Sequence, residues 1–205
     1  DIELQNIVIK KDTVGRKKIT LYTKPCENVE KPSCDIKKMG RILSKVCKEN
    51  MILQKQECAL RLKSSDCSYT YLSEDKQSIQ IGVAKATKSG SVMSGDTSIQ
   101  TKLEDGKYLM ALSDGMGSGK DARKASKTAI TMLEKLLSSG FDKDSSLRLI
   151  NSTLNAISQE DMYATLDIAV LDLYAGNLEF IKNGACPTYV KNNRNVQVLK
   201  SLSLP

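Results

Sequence analysis

Apolar residues recur along this chain with two periods, and the switches between them mark its elements. Residues 2–10 alternate loosely between apolar and polar positions and stop at Lys10-Lys11-Asp12, the pattern of a strand. Gly15 punctuates a turn, and 18–23 reads as a second strand. After the loop framed by Pro25 and Pro32, Asp35 is placed to cap a helix. Its apolar residues Ile36, Met39, Leu43 and Val46 follow at helical spacing. A β-rich stretch comes next, clearest at 68–72, and Ser73-Glu74-Asp75-Lys76 reads as a junction.

Beyond it, 79–86 alternates like a strand. A Gly/Ser-rich loop at 88–95 leads to Asp96, and 98–103 and 108–112 form a hairpin through Glu104-Asp105-Gly106-Lys107. A long helix is predicted over 120–138, with Ala122, Ala125, Ala129, Met132, Leu133 and Leu136 on its buried stripe and Gly140 at its C-terminal end. A second helix follows Asp142, with Leu147, Ile150, Leu154 and Ile157 inward. Residues 165–173 are apolar on both faces and read as a central strand. The turn at Gly176-Asn177 leads to 178–182, and short strands at 188–190 and 196–199 flank Asn192-Asn193-Arg194-Asn195. The fold class is α+β: a small α+β module over 1–75, then over 76–205 antiparallel strands with two inserted helices, half of an α-β-β-α sandwich.

Composition narrows the chemistry. The 205 residues carry 31 Lys+Arg against 24 Asp+Glu, a net charge of +7, and 4% aromatics. So few rings leave little to stack on bases, which argues against nucleic-acid binding. A mildly basic body suits an acidic phosphoprotein or an anionic membrane surface instead. With no histidine and no Cys-x-x-Cys among the six cysteines, zinc fingers, Ser-His-Asp triads and histidine acid–base catalysis are excluded from the chain. The cysteines read as buried, reduced thiols.

The candidate chemistry lies in Leu112-Ser113-Asp114-Gly115-Met116-Gly117-Ser118-Gly119, where an apolar run ends in an acid and alternating glycines, preceded at a distance by Ser94-Gly95-Asp96. Two carboxylates and a carbonyl uncovered by glycine are ligands for a hard divalent cation. The bland alternative is an Asp-Gly turn. A P-loop fails, because Asp114 stands where its first glycine belongs and Asp121 follows Lys120. The dinucleotide fingerprint fails because its third glycine arrives one residue early. Asp167 sits inside the predicted central strand, where an unpaired charge is costly. It either supports a site or is paired with a lysine or a backbone amide, and the second reading is preferred.

Taken in order, Ser94-Gly95-Asp96, Leu112-Ser113-Asp114-Gly115-Met116-Gly117, Ala164-Thr165-Leu166-Asp167 and Asn183-Gly184-Ala185-Cys186-Pro187 resemble the metal-dependent protein phosphatase family (PPM, type 2C), and within it a sporulation branch. The resemblance is close from about residue 79 onward and weaker before it, where the chain resembles a cytosolic regulatory region. It implies a Mn²⁺- or Mg²⁺-dependent phosphoserine/threonine phosphatase with two ions. Asp96 would bind one metal, Asp114 would bridge both, and Gly115 would give its carbonyl. The substrate implied is a phosphorylated anti-sigma-factor antagonist, and the location the cytoplasmic part of an inner-membrane protein, with any membrane contact through helices absent from this chain. Two further aspartates of the family's ligand set do not occur here, so the chain is expected to be a truncated, inactive form. The alternative is a non-catalytic signalling or scaffold domain. Two further expectations are self-association through an open sheet edge near 196–199, and a regulatory role for the helix pair through Ala125, Leu133, Leu136 and Ile150.

Overall fold

The computed structural model describes residues 2–27, 34–87, 94–116, 119–157 and 163–201. The chain divides into two compact units, Asp1–Ser78 and Ile79–Pro205.

In the first unit, strands β1 (Leu4–Lys11), β2 (Lys17–Thr23), β3 (Met51–Glu57) and β4 (Cys67–Ser73) form an antiparallel sheet in the order β1-β2-β4-β3. Helix α1 (Ile36–Cys47) starts where expected, with the Lys38 amide donating to the Asp35 carboxylate at 2.9 Å. Its inward face differs from the predicted one. Ile36, Met39 and Leu43 pack on the core, but Cys47 completes the stripe and Val46 is 75% exposed. Both spacings are helical, and only the position of the sheet selects between neighbours. Four residues, Ala59–Leu62, form the short α2 between β3 and β4. Ser73, Glu74 and Asp75 are held by this unit: Ser73 closes β4, the Glu74 amide donates to the Asn50 carbonyl at 2.8 Å, and Asp75 pairs with the buried Arg16.

The second unit is built on a four-stranded antiparallel sheet, β5 (Thr97–Lys102), β6 (Tyr108–Ser113), β7 (Leu166–Asp172) and β8 (Asn177–Asn183), in that spatial order. Helices α3 (Lys120–Ser138) and α4 (Lys143–Ile157) lie in sequence between β6 and β7 and pack on each other. Leu109, Ala111, Leu166, Ile168 and Val170 of the sheet bury against Ala125, Ala129, Leu133, Ile150 and Leu154 of the helices. Ala125, Leu133 and Ile150 are each 1% exposed, and Leu136 packs at the margin. Gly140 takes φ +85° just past α3 and donates to the Leu137 carbonyl, a conformation that suits glycine. The Ser145 amide donates to the Asp142 carboxylate at the head of α4. At its other end Ile157 is exposed, outside the core that was expected to include it.

Three further differences bear on the site. Strand β7 is interior to the sheet as expected, but only Leu166, Ile168, Val170 and Asp172 are buried; Asp167, Ala169 and Leu171 are half-buried on a face the helices leave uncovered. Residues 79–86 do not form a strand, for alternation supplies the side-chain pattern and not the partner strand a ladder needs. They line a cavity over the uncovered sheet face instead, from Ile81 to Ala86. The loop expected over 88–95 falls largely outside the described residues. The last strands, β9 (Thr188–Asn192) and β10 (Asn195–Leu199), form a hairpin sheet of their own about Asn193.

Candidate metal centre

The chain leaves β6 at Ser113 and remains paired. The Asp114 amide donates to the Thr165 hydroxyl at 3.0 Å, the Thr165 amide to the Asp114 carbonyl at 2.9 Å, and the Met116 amide to the Tyr163 carbonyl at 2.8 Å. Gly115 bridges Ala164 in the same antiparallel sense. The backbone beneath Asp114 and Gly115 is therefore an extension of the β6–β7 ladder, not a free turn.

Glycine is required at Gly115 by crowding. A Cβ there would stand 1.9 Å from the Ala122 carbonyl oxygen and 2.5 Å from its carbon, so the first turn of α3 lies against the peptide. Gly95 meets the same place from the other side. A Cβ on it would be 3.2 Å from the Ala122 Cβ, 3.2 Å from the Gly115 carbonyl oxygen and 3.8 Å from Asp114 Oδ1. Three pieces of chain thus converge on Ala122. The buried Ser126, one turn along α3, fastens the arrangement: its hydroxyl donates to the Gly95 carbonyl and lies 2.8 Å from the Thr97 hydroxyl.

This convergence brings the Asp96 and Asp114 carboxyls within hydrogen-bonding reach of each other. Partial burial raises the Asp114 pKa above the ordinary carboxylate value, and the hydrogen bond with Asp96 and its like charge push the same way. Ser94 orders Asp96, accepting from its amide at 3.2 Å and donating to its carboxylate at 3.1 Å, while Lys85 donates to the Asp96 carbonyl at 2.7 Å. Among the described residues no lysine or arginine forms an ion pair with either carboxylate.

The donor set is two carboxylates and, beside them, a backbone carbonyl, all hard oxygen ligands of the kind Mg²⁺ and Mn²⁺ take. A repulsive acid pair is the natural place for such an ion. Among the described residues no group of three or more acidic or cysteine side chains is arranged to hold a metal, so the side chains here provide two carboxylates.

Asp167 stands apart from the pair. Its carboxylate is 2.6 Å from the Lys182 ammonium and accepts from the Thr188 hydroxyl at 3.1 Å, while Lys182 also donates to Thr188 at 2.7 Å. The lysine expected as its structural partner is Lys182, itself 6% exposed. Asp167 and Asp96 line one cavity of about 460 Å³ with Met110, Phe180 and Thr188. Asp114 is not among the residues lining that cavity.

Sequence reasoning did not single out Lys182, Thr188, Ser126 or the Thr165 side chain in these roles. For Lys182 a signal existed. The β7–β8 turn pairs Asp172 with Asn177, and counting outward along that register sets Asp167 opposite Lys182. Ser126 carried no signal, because a serine within an alanine-rich stripe reads as a small packing residue.

Known proteins resemble this chain in sequence and in fold. Residues 104–205 match the family described as stage II sporulation protein E (SpoIIE). Stage II sporulation protein E of Priestia megaterium is 28% identical over 204 residues, covering 100% of this chain and 34% of that protein. The Bacillus subtilis protein of the same name is 36% identical over 127 residues, covering 62% of this chain and 15% of that protein. The chain therefore spans about a third or less of these relatives. A solved structure of the PP2C phosphatase domain and a fragment of the regulatory domain of the cell fate determinant SpoIIE from Bacillus subtilis superposes with a TM-score of 0.64 at 30% identity. That match covers 100% of this chain and 58% of the other. The mixed architecture of antiparallel sheets and helices is that of the PP2C phosphatase fold.

Proposed function

The chain belongs to the stage II sporulation protein E family, and on that premise we propose that residues 76–205 are the working part of a metal-dependent phosphoserine/threonine protein phosphatase and residues 1–75 its regulatory module. The observation that supports this best is the meeting of Gly95-Asp96 with Asp114-Gly115 against the first turn of α3. In this reading Asp96 and Asp114 are the carboxylate ligands and act catalytically through the ions they hold, while Gly115 offers its carbonyl. When bound, Mn²⁺ or Mg²⁺ supplies an acidified water and neutralises charge on the phosphoryl group.

The chain's own residues set the geometry. The Thr165 hydroxyl and amide hold the Asp114 backbone, Ser94 aims Asp96, and Ser126 ties the Gly95 peptide to α3. Asp167, its charge met by Lys182, keeps the cavity floor neutral and serves as a supporting residue. The substrate of this reading is a phosphorylated anti-sigma-factor antagonist, whose dephosphorylation would activate a sporulation sigma factor. Its place is the cytoplasmic side of a membrane-anchored protein. No described helix is long and apolar enough to cross a membrane.

Helices α3 and α4 serve in this reading as the regulatory element. Ala122 touches the positions of both glycines, so a movement of α3, resisted by the packing of Ala125, Leu133, Leu136 and Ile150, would displace the Gly115 carbonyl. Self-association through the β9–β10 hairpin, where Tyr189, Val196 and Val198 are exposed, belongs to the same proposal.

A second reading is favoured by one observation: among the described residues two carboxylates meet and no third joins them, which suits a scaffold that binds a phosphoprotein without cleaving it. The test is hydrolysis of a phosphoserine peptide with Mn²⁺, in this chain and in one extended to carry two further carboxylate ligands. The phosphatase reading expects turnover in the extended chain, lost in Asp114→Asn, and negligible turnover here. Binding without turnover in both chains would support the scaffold.

A further inference from the structure

The cysteines of the first unit gather in space. Cys26, Cys34, Cys58 and Cys67 line one cavity of about 440 Å³ beside α2. Two of them are placed opposite each other by the sheet. The β3–β4 ladder ends with Glu57 facing Ser68, and one further step sets Cys58 opposite Cys67. Cys58 keeps extended backbone, φ −98° and ψ 121°, so the ladder geometry carries through to it. Residues directly opposed in an antiparallel pair have Cα atoms ~4.5–5.5 Å apart, within the ~4.4–6.8 Å that a disulfide spans. Both side chains line the same cavity, and the Ala59 amide, next to Cys58 in the chain, donates to Cys67 Sγ at 3.3 Å.

The two thiols differ in a way that assigns roles. Cys67 is 2% exposed, whereas Cys58 is half-buried at the cavity. The surroundings of Cys58 also favour its thiolate. The Arg61 amide holds its thiol below the usual value against the opposing effect of burial. The Leu60 amide, the Cys67 thiol and the Arg61 charge add to it. Cys34 and Tyr69 line the same cavity, but Cys34 does not stand opposite Cys58 in the ladder register.

We propose that Cys58 and Cys67 form a hydroperoxide-sensitive dithiol, with Cys58 as the attacking thiolate and Cys67 as the resolving thiol. In the first step Cys58 attacks one oxygen of the peroxide. The O–O bond breaks, the sulfur keeps a hydroxyl as sulfenic acid, and hydroxide or alkoxide leaves. The Cys67 sulfur then attacks the Cys58 sulfur. An S–S bond forms, the S–O bond breaks, and the departing hydroxyl takes the Cys67 proton and leaves as water. The electron pair lost by the thiols is the one that reduces the peroxide. The product would fasten the start of α2 to β4 and close the rim of the cavity. This site belongs to the first unit and uses none of the residues of the phosphatase chemistry proposed for the second, so it stands independently of that reading.

The test treats the folded chain with hydrogen peroxide, alkylates the remaining thiols, digests with trypsin and maps the peptides. Cleavage after Lys55, Arg61, Lys63 and Lys76 leaves Cys58 on 56–61 and Cys67 on 64–76, so the bond appears as a linked peptide pair. The expected result is that pair, restored to free thiols by dithiothreitol, with Cys26, Cys34, Cys47 and Cys186 still alkylated. Cys58→Ser abolishes the link and protects Cys67 from oxidation, while Cys34→Ser leaves the link in place. Alkylation of Cys58 and Cys67 persisting at a peroxide dose that oxidises the exposed Cys186 would overturn the proposal. So would linkage of Cys67 mainly to Cys34. The wild-type map decides even where a variant fails to fold.

Discussion

Two acidic places in the second unit contrast sharply. At Asp167 the chain supplies its own counter-charge, Lys182, with the Thr188 hydroxyl completing a closed triangle of hydrogen bonds. At Asp96 and Asp114 two carboxyls face each other, no described cation pairs with them, and the Asp114 pKa rises through burial and its neighbour. A carboxylate with an internal partner is finished as structure, whereas a pair left repulsive stores a demand for positive charge from outside. The proposed division between a supporting acid and metal ligands rests on this contrast, not on residue type.

The largest effect should come from the scaffold of the pair. Gly115→Ala would drive a Cβ into the Ala122 carbonyl, so the start of α3 or the β6–β7 extension must move. Overpacking of this kind costs about 3 kcal/mol, to be read from the urea midpoint. Gly95→Ala meets only 3.2 Å contacts and should cost about 1 kcal/mol. Equal costs would mean that α3 yields freely and that Gly115 is not the tight point.

Charge removal should have opposite signs at the two places. Lys182→Ala strands the half-buried Asp167 and should destabilise by about 2 kcal/mol, discounted from the buried-pair range because Asp167 reaches solvent. Asp114→Asn removes a repulsion and should stabilise the metal-free protein by about 1 kcal/mol or less. Destabilisation by Asp114→Asn in metal-free buffer would break the comparison.

The same repulsion predicts a pH dependence. A carboxyl whose folded pKa lies above its unfolded one binds protons on folding. Its contribution is full below the ordinary carboxylate value and is lost as pH rises through the raised Asp114 value. Metal-free wild type should therefore lose stability over that window relative to Asp114→Asn, in matched thermal melts. Parallel profiles would count against the shift.

The smallest effect concerns Ser113, whose hydroxyl is buried without a hydrogen-bond partner among the described residues. Ser113→Ala should be neutral or stabilise by about 1 kcal/mol, since an unsatisfied hydroxyl is removed.

Much of this was legible in the chain. Helix α3 occupies 120–138 as its alanine stripe required, and the β5–β6 hairpin turns at Glu104-Asp105-Gly106-Lys107, because both patterns are local. The failures share a cause. Residues 79–86 alternate like a strand but have no partner strand among the described residues, and Val46 fits the helical period yet is exposed. Each depends on contacts distant in sequence. The acids of the site could be named from their glycines, while the crowding at Ala122 that makes Gly115 necessary appears only once α3 is folded back on the strand end.

The most direct test is a Mn²⁺ titration of this chain, with free ion read by its paramagnetic resonance signal. The account predicts weak, saturable binding that is lost in Asp96→Asn and in Asp114→Asn and retained in Asp167→Asn. Binding unchanged by Asp114→Asn, or abolished only by Asp167→Asn, would contradict it.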